Sequence, residues 1–126
     1  MTDDDRRFVA SSWFESFWKN SERHRGIAFS VYRPHMDTRI NRLLDAGETL
    51  IVHAAHIPDE ILGYVVFDVD REAIHWCYVK SAYRGEGIAT ALCKGRGKWY
   101  THAAGDAGTR LARTLGFEFN PYLSER

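Results

Sequence analysis

The chain contains no hydrophobic run near the roughly 20 residues that a membrane-spanning helix needs. Its opening, Met-Thr-Asp-Asp-Asp, is acidic where an export signal is basic and then apolar, so the expected location is the cytoplasm. Cysteine is scarce. Cys77 and Cys93 both fall in apolar stretches and, without an export signal, read as buried thiols rather than a bridge. No Cys-x-x-Cys or His-Glu-x-x-His pattern occurs, and His53 and His56 lie three apart on an expected strand, so they point to opposite faces. No metal site is expected. Gly-x-Gly-x-x-Gly and the Walker Gly-Lys-Ser/Thr are also missing, which excludes the usual dinucleotide and P-loop readings. Repeats and low-complexity segments are absent. The 126 residues suit one domain over 1–126.

Charge is balanced but unevenly placed. Net charge is zero, yet residues 46–79 hold Arg71 against six acids, while residues 80–113 hold seven Lys and Arg against Glu86 and Asp106. A basic half of this kind suits an anionic ligand, and nucleic acid equally.

Hydrophobic spacing orders the chain. Val9, Trp13 and Phe17 recur every fourth residue, with Phe14 and Trp18 in a neighbouring row. This predicts an amphipathic helix over about Arg6 to Lys19, with acids at its positive end. Asn20 to Pro34 reads as a long connection of the size functional loops have. A second helix is expected over His35 to Ala46, with Met36, Ile40, Leu43 and Leu44 inward and Gly47 as its stop. Thr49–Ala55, Ile61–Val69 and Ala73–Lys80 read as an antiparallel meander. A helix over Glu86 to Lys94, a strand over Trp99–Ala103, a helix from Asp106 to Leu115 and a last strand over Phe117–Asn120 complete the order.

Between the third strand and the following helix stands Arg84-Gly85-Glu86-Gly87-Ile88-Ala89. Glycines there allow a sharp turn and close backbone approach, and the amides that open the helix point outward. Such a loop cradles an anion, and a diphosphate is its natural guest. The spacing Arg84-x-x-Gly87-x-Ala89 resembles the (Gln/Arg)-x-x-Gly-x-(Gly/Ala) signature of the GNAT superfamily of N-acetyltransferases. The window Val79 to Ala89 is similar to the family's more broadly, with Ser81 where Pro is common, and Leu115-Gly116-Phe117 resembles its common Leu-Gly-Phe ending.

The resemblance implies a compact α/β fold of the layered α+β kind. A mixed, mostly antiparallel sheet would be flanked by helices, here without the usual first strand. It implies acetyl-CoA or a related acyl-CoA as donor, with Arg84, Gly85, Glu86, Gly87, Ile88 and Ala89 on the pyrophosphate. Main chain at Tyr78 and Val79 would follow the pantetheine arm. The acceptor would be an amine of a small molecule, a protein or a DNA base.

Acyl transfer to an amine needs a route for the amine's proton, stabilisation of the tetrahedral oxyanion and sometimes an acid for the thiolate. An amide near Val79 would serve the oxyanion. The tyrosine that many family members place three residues before Leu-Gly-Phe is Ala112 here, which leaves Tyr100 and Tyr122 as candidate acids, or a thiolate that leaves unaided. For the base, alternation puts His75 on the same strand face as Cys77 and Val79, and His102 on the facing strand. Each of these residues has an ordinary packing alternative.

Ser11-Ser12-Trp13, Tyr78-Val79-Lys80, Thr101-His102 and Asn120-Pro121-Tyr122-Leu123 are also similar to short GNAT-like proteins of tailed phages. That group includes the Mom proteins, which modify adenine in phage DNA. This resemblance implies nucleic-acid modification as an alternative activity, in the cytoplasm of a bacterial host. Arg23, His24, Arg25, Arg33 and exposed tryptophans would then make the contacts. A non-catalytic binding module is a third reading; Ala112 favours it, and Arg84, Gly85 and Gly87 oppose it. The aromatic first helix offers an apolar face for a homodimer.

Overall fold

Two long helices precede the sheet in the computed structural model, which describes residues 1–20, 26–103 and 105–125. Helix α1 spans Asp3–Asn20 and α2 spans Phe29–Ala46. A reciprocal cap starts α1: the Asp5 amide donates to the Thr2 hydroxyl and the Thr2 amide to the Asp5 carboxylate, each at 3.0 Å. The bond from the Thr2 backbone holds the Asp5 carboxyl below its usual value.

Helix α2 begins at Phe29, well before the expected His35, and carries Pro34 inside it. A proline within a helix costs about 3 kcal/mol, because it removes one hydrogen bond and crowds the preceding turn. Aromatic packing offsets that here. Tyr32 lies 4.9 Å from the Phe14 ring and 4.5 Å from Trp18, Phe29 packs on both, and the Tyr32 hydroxyl donates to the Phe14 carbonyl at 2.8 Å. The expected long connection is therefore shorter, and its Arg23, His24 and Arg25 lie outside the described residues. Arg33 is an exposed residue of α2 with Asp37 4.0 Å away.

Strands β1 (Glu48–His53), β2 (Ile61–Asp68) and β3 (Ala73–Val79) form the antiparallel meander. Helix α3 (Ile88–Cys93) crosses to β4 (Trp99–Tyr100), and α4 (Gly105–Thr114) crosses to β5 (Glu118–Phe119). Both later pairings are parallel, in a sheet ordered β1-β2-β3-β4-β5. No strand precedes α1 among the described residues. The result is the mixed sheet flanked by helices, with its longest ladders antiparallel.

Each face of the sheet has its own core. On one face Val9, Trp13 and Phe17 of α1 meet Tyr32, Met36, Ile40 and Leu43 of α2 over Tyr64, Val66 and Trp76. On the other, Val65, Phe67 and Ile74 pack on Leu92 and Cys93 of α3. The aromatic face of α1 is thus covered within the chain, which removes it as the expected dimer surface. No helix among the described residues is long and apolar enough to cross a membrane.

A bulge in β3 changes which side chains share a face. Val66 pairs with Trp76 and Phe67 with Ile74, so His75 is the extra residue between them. The two residues of such a bulge lean to one side. His75 accordingly shares the side of Trp76, with its ring 6.4 Å from that of His102, while Ile74 and Cys77 face α3. Simple alternation had put His75 with Cys77 and Val79; the bulge reverses that.

Candidate active site

Strand β4 pairs with β3 only through Ala73 and Ile74, and the Thr101 amide makes the last bond, 3.0 Å to the Ile74 carbonyl. The strands then diverge. Their splay opens a cleft of about 520 Å³, the size of ordinary ligand pockets. It is bounded by the loop of Arg84, Gly85, Gly87, Ile88 and Ala89, by Cys77 to Val79 with Tyr100 and Ala112, and by Trp76, His102, Ser16 and Asn20.

Strand pairing decides which main-chain groups enter this cleft. The Lys80 amide bonds to the Leu62 carbonyl at 2.9 Å, which makes Gly63–Val79 and Val65–Cys77 the non-bonded pairs of the ladder. Peptide groups of Cys77 and Val79 therefore turn away from β2, towards the side where β4 has left. An extended ligand arm can pair there as another strand would.

At the loop, Gly85 has φ 85° and Gly87 has φ 82°, conformations that other residues adopt only with strain. Amides of Gly85, Glu86 and Gly87 bond to no backbone carbonyl among the described residues. Helix α3 is short, Ile88–Cys93 rather than Glu86 to Lys94, so its dipole adds little and any attraction for an anion would come from the loop amides. Arg84 turns back: its Nε donates to the Val79 carbonyl at 2.8 Å, and its guanidinium lies 5.9 Å from the Tyr78 ring centre. That contact fixes the loop against the end of β3. Glu86 is exposed and does not line the cleft.

The glycine loop thus lies beside a stretch of strand edge that β4 does not cover. The Acetyltransferase (GNAT) family model matches residues 10–117 of this chain. The chain belongs to the GNAT acetyltransferase family. No curated protein and no solved structure matches it.

Within this GNAT domain, the residues expected to carry chemistry separate clearly. Ala112, at the position where many members have the acid, is buried and lines the cleft. Tyr100 lines it too, with its ring 5.2 Å from Phe119. Tyr122 is 73% exposed in a terminal 3-10 turn and lies outside the lining. Tyr83, which sequence reasoning missed, lines the cleft and donates to Glu60 at 2.8 Å, a bond that raises its pKa.

The histidines form a connected unit. His102 lies just beyond β4, not on it, and is buried between Trp13 and Phe17, with centroids at 5.4 and 5.0 Å. It lines the cleft, and His75 does not. Thr101 Oγ1 stands 2.7 Å from His102 Nδ1 and 2.9 Å from His75 Nδ1. A hydroxyl has one proton, so with both rings neutral it donates to one Nδ1 and accepts from the other. The two imidazoles then hold opposite tautomers. Burial pushes His75 down to about 4, which keeps it neutral near pH 7.

Trp76 also lines the cleft, and its buried Nε1 donor has no acceptor among the described residues. Trp13 and Trp76 are buried and Trp18 and Trp99 half-buried, so none is the fully exposed tryptophan expected for nucleic-acid contact. Among the described residues no group of three or more His, Cys, Asp and Glu is placed to hold a metal ion.

Proposed function

We propose that this domain transfers an acyl group, acetyl foremost, from acyl-CoA to an amine held at the α1 end of the cleft. The observation that carries this reading is the edge of β3 at Cys77 and the Val79 amide, which no neighbouring strand covers and which runs between the glycine loop and His102. The donor's diphosphate rests on the Arg84 to Ala89 loop and its pantetheine arm follows the strand edge. The Val79 amide meets the thioester oxygen as charge develops there. His102 takes the amine's proton through Nε2, a buried atom at the cleft wall that Thr101 does not engage. Tyr100 stands in for the tyrosine replaced by Ala112 and returns a proton to the departing thiolate.

The test is thiol release from acetyl-CoA against a panel of amines: polyamines, aminosugars and lysine peptides. DNA from cells making the protein, digested to nucleosides, separates an adenine acceptor from a free amine. With the active acceptor, His102→Gln lowers kcat by about 100-fold and leaves KM for acetyl-CoA near the wild-type value. Wild-type turnover in that variant sinks the base assignment, and no acylated product from any source sinks the transfer reading.

A further inference from the structure

Cys77 on β3, half-buried, and Cys93 on α3, buried, are free thiols in one packed cluster between strand and helix. Both line the cleft. On their other sides they pack among Val65, Phe67, Ile74 and Leu92, so the cleft is the approach open to a reagent. A thiol pair there serves none of the steps of amine acylation. It lies, however, along the strand edge assigned to a ligand whose own reactive atom is sulfur.

We propose that Cys77 and Cys93 form a thiol–disulfide site for the disulfide form of the cleft's ligand, CoA disulfide, and that closing their bridge shuts the cleft to acyl-CoA. The inference rests on the CoA reading of the cleft. Cys93 thiolate attacks one sulfur of CoA disulfide; that S–S bond breaks, and the departing CoA thiolate takes up the proton Cys93 gave. Cys77 then attacks the Cys93 sulfur of the mixed disulfide, and a second CoA thiolate leaves with the Cys77 proton. Two thiols become one disulfide, and one CoA disulfide becomes two CoA thiols.

Cys93 is the more buried of the two but lines the cleft; the neighbouring Cys77 holds its thiol below the ordinary value, while Cys93 and burial push Cys77 up, so Cys93 is the first nucleophile. A disulfide requires the sulfurs to close to about 2.05 Å. That draws α3, which directly follows the glycine loop, against β3 along the edge the pantetheine arm needs.

The experiment exposes reduced wild-type protein to equal concentrations of CoA disulfide and, separately, glutathione disulfide, then alkylates remaining thiols and maps them by mass spectrometry. CoA disulfide should produce the Cys77–Cys93 bridge at least about tenfold faster, with free CoA slowing that reaction alone, because a bound oxidant reacts at a raised local concentration. Cys77→Ser should trap CoA on Cys93 as a stable adduct. Equal rates for the two oxidants, or no bridge in a protein that binds CoA, overturns the proposal. Calorimetry of CoA with the reduced protein separates the two levels: absence of binding there defeats the CoA reading itself, whereas binding without bridge formation defeats only this inference. The wild-type comparison needs no substitution, so a poorly folding variant does not obscure it.

Discussion

Thr101 Oγ1 lies 2.7 Å from His102 Nδ1, and the same oxygen ties that cleft-lining imidazole to a second, fully buried one at His75. The hydroxyl couples the proton positions of the two rings: His102 carries its proton on Nδ1 when His75 carries its own on Nε2. Thr101→Val keeps the side-chain shape and removes that coupling. It should lower kcat by about 10-fold or more, part of the 10²–10⁴ that a positioned base supplies. Thr101→Ser should restore most of it. Stability should fall by about 1–3 kcal/mol in the valine variant, as two buried ring nitrogens lose their partner. Steady-state kinetics and urea unfolding of both variants check this; a folded Thr101→Val enzyme with wild-type kcat would remove Thr101 from the mechanism.

His75 makes stability depend on pH. Its folded pKa of about 4 lies below the ordinary 6.5, chiefly through burial, with Asp68 opposing and Arg71 and Arg42 adding to the fall. The unfolded chain therefore binds the proton more readily. Stability from this group is complete above pH 6.5 and is lost as pH drops towards 4. By pH 5 the loss should be about 2 kcal/mol. Urea midpoints at pH 7 and pH 5 measure it, and His75→Gln should flatten the difference. An equal pH slope in the variant would show that other groups control acid sensitivity.

Gly87 tests conformation apart from space. A Cβ there would meet nothing within 4 Å, but φ is +82°. Gly87→Val should therefore cost about 1–2 kcal/mol from backbone strain alone. Gly87→Asn should cost less, since asparagine tolerates the left-handed region. Thermal melts of the two variants give the comparison; equal, near-zero losses would mean that the loop relaxes to another conformation.

Tyr64 fastens the sheet to α1. Its hydroxyl is 2.7 Å from Ser12 Oγ and donates to the Val9 carbonyl at 3.0 Å, with the whole residue fully buried. Tyr64→Phe should lose about 1–2 kcal/mol with little change in CoA affinity. Urea unfolding with a parallel CoA titration decides it, and lost CoA affinity would show that the α1 contact also shapes the cleft.

The elements most legible in the residues were those with sustained spacing. Val9, Trp13 and Phe17 at four-residue steps marked α1, and the β-rich run before Arg84 marked β3 and the loop after it. Three features were hidden for identifiable reasons. The start of α2 was masked by Pro34, whose penalty only the distant Phe14 and Trp18 offset. The bulge at His75 has no local marker, because its register depends on Val66 and Phe67 in the neighbouring strand. Early divergence of β4 placed His102 beyond the strand, where its ring bonds the adjacent Thr101.

Calorimetric titration of acetyl-CoA and CoA into the wild-type domain and into Gly87→Glu reads donor binding at the loop without an acceptor. The wild type should show one site per chain, with a dissociation constant between about 1 μM and 1 mM. In a folded Gly87→Glu variant, the new carboxylate at the cradle should abolish that binding. Absence of heat from both ligands with folded wild-type protein, or undiminished binding to Gly87→Glu, would contradict the assignment of this loop and strand edge to a CoA thioester.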